Sequence, residues 1–400
     1  MKDVFQAVRV TDRVWWVGAI DWAVRDFHGY LTGGGTTYNA YLVTGDEPVL
    51  LDTVKAPFFD EMLARVASVV DPAEVRYVVS NHSEPDHTGA LAATLSRIRP
   101  EKTFASAQGV KALQDHYGLG GQVTAIEDGQ ELKLGGSTFR FAETRMCHWP
   151  DSMVTYLAEE KLLVSQDAFG MHLATYERFD DELPAPLLKH EAARYYANIL
   201  LPLSGFVTKA LEKLEAAGWE LDLIAPDHGP IWRSAPGGIV ADYARWARQP
   251  RGNKAVVVYD TMWQSTDLMA RAVGEGLRAG GAAVRLMPLS GSHRSDVATE
   301  MLDAGALLVG APTINNEIFP TLADCLTYLK GLRPQGVLGA AFGSYGWSGE
   351  AAKDLSALLT DMKVEVVAEP VRSKYVPDDE VLRQCHALGR TVAAALADRG

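Results

Sequence analysis

One short segment carries the densest cluster of groups that could do chemistry: Asn81-His82-Ser83-Glu84-Pro85-Asp86-His87. It follows an apolar run over residues 75–80, which has the pattern of a buried strand. A turn leaving that strand can fold potential metal ligands together, and Pro85 favours a turn, whereas a continued strand would split them between two faces. The segment therefore predicts metal binding through His82, Glu84, Asp86 and His87.

Three further potential ligands stand in the same relation to a strand. Loops at the carboxyl ends of strands assemble binding sites in layered α/β folds. Alone, such a histidine is more often a surface or capping residue, but the cluster at 82–87 favours a shared site. The three ligands are His148, Asp167 and His228, which follow apolar runs at residues 138–143, 161–165 and 221–226.

Together the seven residues supply four imidazoles and three carboxylates. This donor set is too large for one four-coordinate zinc ion, and it suits two metal ions that share a bridging carboxylate. Three oxygen donors also shift the preference toward a harder, redox-capable metal. No metal role is predicted for His116, His172, His190, His293, His386 or Cys147.

A second candidate site begins near residue 260. An apolar run at 255–259 leads into Asp260-Thr261-Met262-Trp263-Gln264-Ser265-Thr266 and then into a helical pattern. Hydroxyl groups and backbone N–H groups at a helix N-terminus can hold an anion without a lysine. The Walker A and three-glycine dinucleotide patterns are absent, which favours a phosphomonoester. The alternative is that the segment is only a helix N-cap.

Two later segments, residues 311–316 and 343–349, should end strands at the same sheet edge. Their small residues let the backbone approach a planar ring, and Tyr345 or Trp347 can stack on it; we favour Trp347 over Trp263. The residues predicted to contact this cofactor are Thr261, Met262, Trp263, Gln264, Ser265, Thr266, Pro312, Thr313, Ile314, Asn315, Asn316, Ser344, Tyr345, Gly346, Trp347, Ser348 and Gly349.

The elements that position these segments divide the chain into two predicted domains, residues 1–250 and 251–400. The seam at residues 248–254 mixes proline, glycine and charge. After it, five strand-like runs alternate with helix-length amphipathic stretches, which predicts a five-stranded doubly wound parallel sheet. Before it, scattered strand-like runs and helical patterns at 58–70 and 187–217 predict a mixed α/β domain.

Composition excludes several classes of function. The chain has 400 residues and a formal charge of −13 with no run of basic residues, so nucleic acid is not an expected partner. Its apolar runs fall short of the roughly 18 residues that cross a bilayer, and its N-terminus lacks a signal-peptide pattern, so we expect a cytoplasmic protein without membrane contact. Three dispersed cysteines cannot form a four-thiolate metal site.

The ligand order resembles that of known proteins. H-x-[HE]-x-D-H followed by isolated His, Asp and His resembles the metallo-β-lactamase fold, and Glu84 in place of a second histidine resembles the flavodiiron proteins. Residues 18–22, 26–30, 37–42 and 149–153 are also similar to that family. The three later loops resemble the FMN site of flavodoxin, with the hydroxyl loop on the phosphate and the other two beside the isoalloxazine ring.

This resemblance implies a fold, cofactors and ligand roles. The fold would be an α/β chain with an N-terminal metallo-β-lactamase-like αββα domain and a C-terminal flavodoxin-like domain. The cofactors would be FMN and two iron ions in a non-haem diiron centre. His82, Glu84 and His148 would hold one iron, Asp86, His87 and His228 the other, and Asp167 would bridge them. His28, with Tyr195 or Tyr196, would line the metal pocket.

The implied function is reduction of dioxygen to water, of nitric oxide to nitrous oxide, or of both. Electrons would come through FMN from rubredoxin or a similar donor, since the chain has no C-x-x-C rubredoxin module. The expected assembly is a head-to-tail homodimer or a dimer of dimers. Two alternatives stay open. The first is a zinc hydrolase with a passenger flavodoxin domain, and Glu84 disfavours it. The second is an FMN electron-transfer protein whose metal-empty domain only dimerises, and the complete ligand set disfavours it.

Overall fold

The computed structural model describes residues 3–399, which form two compact units. The first unit extends to Tyr195 and resumes over Leu203–Ala247. The second combines the short segment Tyr196–Pro202 with the chain from Arg248 onward. The chain therefore contributes a short segment to the second unit, returns to the first unit at Leu203, and continues in the second unit from Arg248. Among the described residues, no helix is long and apolar enough to cross a membrane.

The first unit is built around two β-sheets. The strands are β1 (Val8–Arg9), β2 (Val14–Trp16), β3 (Ala19–Asp21), β4 (Asp26–Phe27), β5 (Tyr30–Leu31), β6 (Thr36–Tyr38), β7 (Tyr41–Val43), β8 (Val49–Leu51), β9 (Tyr77–Ser80), β10 (Lys102–Ser106), β11 (Val123–Ile126), β12 (Glu131–Leu134), β13 (Ser137–Glu143), β14 (Met153–Leu157), β15 (Leu162–Gln166) and β16 (Leu223–Pro226). The larger sheet has the order β1-β2-β7-β8-β9-β10-β11, and the smaller has β12-β13-β14-β15-β16. β3 pairs with β6, and β4 with β5.

Helices complete the layers of this unit. They are α1 (Phe59–Ala67), α2 (Pro85–Thr88), α3 (Leu91–Ile98), α4 (Ala107–Tyr117), α5 (Ala185–Tyr195), α6 (Ser204–Ala217) and α7 (Pro236–Ala247), with 3₁₀ turns at Ala56–Phe58, Pro72–Glu74, Gly120–Gln122 and Asp180–Glu182. The helical pattern predicted over 187–217 is interrupted after Tyr195 by a π-helix at Tyr196–Leu200 and a 3₁₀ turn at Leu201–Leu203. Pro202 accounts for part of the break, since proline lacks the N–H that an α-helix requires.

β9 shows why the layers form. Tyr77 and Val79 pack into the core that the two sheets share, whereas Val78 packs into a second core with residues of α1, α3 and α4. Successive side chains of a strand point to opposite faces, so a strand covered on both sides is apolar throughout. β9 is buried along its whole length and ends at Ser80, directly before the metal-ligand segment.

The second unit is a parallel sheet with helices packed against it. Its strands are β17 (Gly252–Tyr259), β18 (Ala283–Pro288), β19 (Ala304–Pro312), β20 (Leu338–Tyr345), β21 (Glu365–Val366) and β22 (Val371–Lys374), in the order β18-β17-β19-β20-β21 with β22 also paired to β20. Its helices are α8 (Ser265–Ala279), α9 (Arg294–Met301), α10 (Pro320–Leu332), α11 (Ala351–Asp361) and α12 (Asp379–Ala397). The doubly wound flavodoxin-like prediction is confirmed, and β22 is an additional strand that the pattern did not predict.

The helices α8 and α12 pack closely over one face of this sheet. They share one apolar core with residues of β17, β19 and β20. Glycine permits their close approach, because a Cβ at Gly276 would lie 2.0 Å from the backbone oxygen of His386, and one at Gly389 would lie 2.2 Å from the oxygen of Val273. Only glycine fits at these two contacts without moving a helix backbone.

Candidate metal centre and flavin site

The segment after β9 folds back in a tight turn, as its sequence predicts. Its backbone enters α2 at Glu84, with Pro85 as the first helical residue. Thr88 secures the turn, since its hydroxyl donates to the carbonyls of Ser83 and Glu84, each at 2.9 Å. The turn places four buried side chains together: His82, Glu84, Asp86 and His87.

The other three predicted ligands come from the smaller sheet. Asp167 directly follows β15, His228 lies two residues after β16, and His148 lies in the loop between β13 and β14. The ligand atoms form three groups, each with all its atoms within 4.8 Å of one another. The groups are His82, His87 and Asp167; Asp86, His87 and His228; and Glu84, His148 and Asp167.

Asp167 lies at the centre and divides the other ligands into two sets. Its Oδ2 lies 2.7 Å from Nε2 of His148 and 3.3 Å from Nε2 of His82. Its Oδ1 lies 3.2 Å from Nε2 of His87 and 3.4 Å from Nε2 of His228. One carboxylate thus presents one oxygen to each of two pairs of imidazoles.

The two remaining carboxylates separate in the same way. Glu84 Oε2 lies 3.1 Å from Nε2 of His148, and Asp86 Oδ2 lies 3.2 Å from Nε2 of His228. Each side of Asp167 therefore has two imidazoles and one further carboxylate. Two metal ions held on either side of a bridging carboxylate require this arrangement of donors.

The polar atoms of this cluster support the fit to cations. Nε2 of His82, both carboxylate oxygens of Asp86 and Oδ1 of Asp167 are buried and have no hydrogen-bond partner among the described residues. Burying polar atoms without partners is costly, so such atoms converging on one point fit a site for positive ions.

Electrostatics favour ionised carboxylates in the cluster. Burial alone would raise the pKa of Glu84, but its contacts with His148 and His28 lower that pKa overall. Burial likewise opposes ionisation of Asp167, and the nearby His82 and His228 hold its pKa well below its usual range. Burial lowers the pKa of His148, whereas its bonds to Asp167 and Glu84 raise it to about 9. Glu84 and Asp167 are therefore charged acceptors near neutral pH.

A cavity of ≈ 490 Å³ in the second unit brings the predicted cofactor loops together. Trp263 and Trp347 are almost fully exposed at its rim. The residues that line it are Met262, Trp263, Ser265, Pro312, Thr313, Ile314, Asn315, Asn316, Ser344, Tyr345, Gly346, Trp347, Ser348, Tyr375 and Val376. Thirteen of these are among the predicted cofactor contacts.

Four predicted cofactor residues do not line the cavity. Thr266 is buried and its hydroxyl lies 2.9 Å from that of Ser344, so it holds two loops together. Gly349 packs against the Tyr345 ring, since a Cβ there would lie 3.0 Å from the ring. Gln264 precedes α8 in a left-handed conformation, and the buried Thr261 hydroxyl has no partner within the described chain. The hydroxyl beside a helix N-terminus fits a phosphate.

Two lining residues, Tyr375 and Val376, were missed by sequence reasoning. Both are exposed and directly follow β22. The missing signal was the strand itself, because β22 has only four residues and alternates partly buried and exposed positions with Ser373 as its buried residue. Short strands with a polar inward residue do not stand out from loops.

Comparison with known proteins matches both units. Residues 36–229 match the family described as ODP family beta lactamase, and residues 257–389 match flavodoxin. A nitric oxide reductase from Moorella thermoacetica is 47% identical over 98% of this chain and 100% of its own length. A rubredoxin-oxygen oxidoreductase from Megalodesulfovibrio gigas is 46% identical over 98% of each chain.

Solved structures agree with the sequence relatives. Rubredoxin oxygen:oxidoreductase from Desulfovibrio gigas superposes with a TM-score of 0.96 at 46% identity, over 98% of this chain and 99% of that one. The flavodiiron protein from Giardia intestinalis superposes with a TM-score of 0.94 at 35% identity, over 98% of each chain. The chain belongs to the flavodiiron protein family. The family and fold expected from the sequence are therefore confirmed.

Three residues were expected to line the metal pocket of this flavodiiron protein. His28 Nε2 lies 3.4 Å from Glu84 Oε1, and the His28 side chain is 77% exposed. The Tyr195 ring is buried, and its centroid lies 6.2 Å from that of His228. Tyr196 is also buried but belongs to the second unit. The Tyr195 ring therefore lies beside the imidazole cluster.

His172, for which no role was predicted, packs directly behind the cluster. Its ring centroid lies 4.6 Å from that of His228 and 5.1 Å from that of Tyr195, and its Nδ1 lies 2.8 Å from the Thr36 hydroxyl. Burial holds its pKa well below the usual value, so the ring is neutral. The sequence carries no signal for this position, since an isolated histidine between apolar residues has the pattern of an ordinary core residue.

Proposed function

We propose that this flavodiiron oxidoreductase reduces dioxygen to water, nitric oxide to nitrous oxide, or both, with electrons that pass from a redox partner through FMN. The relatives named as a nitric oxide reductase and a rubredoxin-oxygen oxidoreductase support both substrates. The observation that carries the proposal is the division of ligands by the two oxygens of Asp167. Such a division suits two irons and leaves no reason for a single zinc.

The ligand assignment follows from that division. His82, Glu84 and His148 hold one iron, Asp86, His87 and His228 hold the other, and Asp167 bridges them. Four neutral imidazoles and three carboxylates form the mixed nitrogen and oxygen donor set that suits iron. The support is the separation of the short Nε2-to-oxygen distances into two sets.

FMN is held by the three loops of the second unit. The hydroxyl of Thr261 lies in the loop before α8 and that of Ser265 at its first residue, where backbone N–H groups favour a phosphate, and Thr266 ties this loop to Ser344. The loops at 312–316 and 344–349 flank the isoalloxazine ring, and Trp347 stacks on it. The support is that residues of all three loops line one cavity.

The chain's own residues prepare the metal pocket for chemistry. When bound, the two irons and the flavin supply the electrons for substrate reduction. Glu84 and Asp167 hold negative charge beside that site because neighbouring histidines lower their pKa values. The buried ring of Tyr195 and the partly buried ring of Phe27 restrict water near the imidazoles, since Phe27 contacts both His28 and His228. His28 is the exposed polar group that can exchange protons with solvent at its Nε2.

Partners follow from the family. An electron donor must reduce the flavin, and we propose rubredoxin or a similar small redox protein. We also propose a head-to-tail homodimer, or a dimer of dimers, in which the flavin of one chain lies near the irons of the other. The exposed indoles of Trp263 and Trp347 support an interface around the flavin cavity. A cytoplasmic location stays a prediction.

Metal analysis with rapid kinetics tests the proposed function. Anaerobically purified protein should hold about two irons and about one FMN per chain and should reoxidise rapidly with dioxygen or nitric oxide after reduction. About two zinc ions per chain and slow reoxidation would instead favour the zinc hydrolase. FMN without any metal would favour the electron-transfer protein. A donor test is separate: reduced rubredoxin from the source cell that fails to reduce the flavin would reject that partner.

A further inference from the structure

The imidazoles of the metal cluster share one orientation. Each presents Nε2 to the carboxylates of the cluster, which leaves Nδ1 on the far side of the ring. A metal-bound imidazole is neutral and carries an N–H at its other nitrogen, and the acceptor of that N–H fixes the orientation of the ring. For His228 the acceptor is a backbone carbonyl, since its Nδ1 lies 2.6 Å from the oxygen of Thr37.

Asp227 faces the far side of two other imidazoles. Its Oδ2 lies 3.7 Å from Nδ1 of His87 and 3.9 Å from Nδ1 of His82. Within residues 3–399, both of these Nδ1 atoms and both carboxylate oxygens of Asp227 are buried without a hydrogen-bond partner. The separations exceed a normal N–H···O distance by about 1 Å, which a small rotation of side chains closes.

The backbone fixes Asp227 in this position. Its N–H donates to the carbonyl of Gln166 at 2.9 Å, and its carbonyl accepts from the N–H of Asn39 at 2.7 Å. Asp227 is fully buried, so its carboxylate cannot find water instead. A buried carboxylate with no partner costs free energy, and the two unpartnered imidazole nitrogens are the donors within reach.

Asp52 provides a contrast beside the same cluster. It is also buried, but its oxygens accept from the backbone N–H of Asn81 at 2.7 Å and from the side-chain amide of Asn81 at 2.6 Å. Asp52 therefore holds the start of the ligand segment. Asp227 makes no such side-chain bond within the described chain, and its Oδ2 lies within 4 Å of Nδ1 of both imidazoles.

We propose that Asp227 is a shared positioning residue, whose carboxylate accepts hydrogen bonds from Nδ1–H of both His82 and His87 when the metals are bound. This inference rests on the ligand set of the proposed function. Because His82 belongs to one metal and His87 to the other, one side chain sets the ring orientation and basicity of a ligand at each metal. A single substitution at Asp227 therefore weakens both metal positions together.

The test compares Asp227→Asn with a matched variant in the full chain. Asp151→Asn makes the same change at another buried aspartate whose oxygens have no partner among the described residues and whose Oδ2 lies near Gly109 of α4. Metal-free protein is titrated anaerobically with Co²⁺ in competition with a chelator. Asp227→Asn should weaken both bound ions by about 10–100-fold, and Asp151→Asn should match the wild type.

The melting temperature separates positioning from a general loss of structure. Asp227 makes no side-chain hydrogen bond that the metal-free fold would lose, so Asp227→Asn should leave the Tm of metal-free protein near that of the wild type. It should reduce the rise in Tm that Co²⁺ produces, because stabilisation by a ligand follows its affinity. An equal fall in Tm with and without Co²⁺ would overturn the inference in favour of a structural role.

A measurement on the wild type serves if Asp227→Asn does not fold. NMR of the Co²⁺-loaded protein should show metal-shifted N–H signals from His82 and His87 that exchange slowly with solvent, in addition to that of His228, whose Nδ1 faces the Thr37 carbonyl. Rapid exchange of both the His82 and the His87 signal would overturn the inference. If Asp227→Asn binds both ions with wild-type affinity, the role of Asp227 is overturned and the proposed ligand set is not. If the wild-type chain binds no metal, the ligand set and the role of Asp227 are overturned together.

Discussion

Replacement of Asp167 by asparagine provides the sharpest test of the metal centre. Asparagine has nearly the same shape but offers one oxygen in place of two, because its amide nitrogen cannot bind a metal. In the structure, Oδ2 of Asp167 faces His82 and His148, and Oδ1 faces His87 and His228. Asp167→Asn should therefore remove the central donor from one side and keep it on the other.

The size of the effect follows from the geometry. The affected side falls from two imidazoles and two carboxylate oxygens to two imidazoles and one. Loss of an outer-shell partner typically costs about 10–100-fold in metal affinity, or up to about 2.7 kcal/mol, and loss of a direct ligand should cost more. We therefore expect the metal content to fall from about two ions per chain to about one.

Metal analysis and FMN content measured on the same sample check this prediction. FMN belongs to the other unit, so its content should stay constant and report that the second unit is folded. Asp167→Ala should weaken both ions, whereas Asp86→Asn should weaken only one, since Asp86 belongs to a single ligand group. Two tightly bound ions in Asp167→Asn, with wild-type oxygen or nitric oxide consumption, would refute the bridging assignment.

Three further predictions concern the pocket walls and the core. Trp347→Ala should weaken FMN binding by up to about tenfold, because it removes one aromatic ring that stacks on the flavin. Flavin fluorescence titration measures this affinity, and an equal loss of affinity in Trp263→Ala would contradict the prediction. Tyr195→Phe should keep both cofactors but lower turnover with oxygen or nitric oxide; turnover equal to that of Tyr196→Phe would argue against a role for its hydroxyl. Phe342→Ala, at a fully buried position in β20, should lower the free energy of unfolding by about 3–5 kcal/mol in urea titrations, because it removes a buried ring and leaves a cavity. A loss below about 1 kcal/mol would show instead that neighbouring side chains repack to fill the cavity.

The metal cluster could be predicted because its ligands follow a simple rule of position. His82, Asp167 and His228 all follow the end of a buried strand, and an apolar run followed by a chemically active residue is visible in sequence. The cofactor loops obey the same rule at the carboxyl ends of β17, β19 and β20. In both units the strand pattern predicted which residues come together, and the proposed chemistry follows from the types of those residues.

The supporting residues could not be predicted in this way. His172 lies between apolar residues, the pattern of an ordinary core residue, and the contacts of His172 and Asp227 with the cluster join segments that are distant in sequence. The segment with Tyr375 follows a four-residue strand whose pairing with β20 depends on the sheet already being formed. Such features arise from tertiary packing, which local periodicity does not encode.

The path of the chain between the two units limits how the protein can be cut. Tyr196–Pro202 packs on α9 and α10, with the Asn198 amide 3.2 Å from the carbonyl of Ser295 and its oxygen accepting from the Tyr328 hydroxyl at 2.8 Å. A flavin fragment that starts at Arg248 lacks this segment and exposes the surface that it covers. Proteolysis or gene truncation near residue 250 will therefore give a C-terminal fragment that lacks part of its unit. The N-terminal fragment will keep Tyr196–Pro202 as a loop without its packing partners, so neither fragment reproduces its unit.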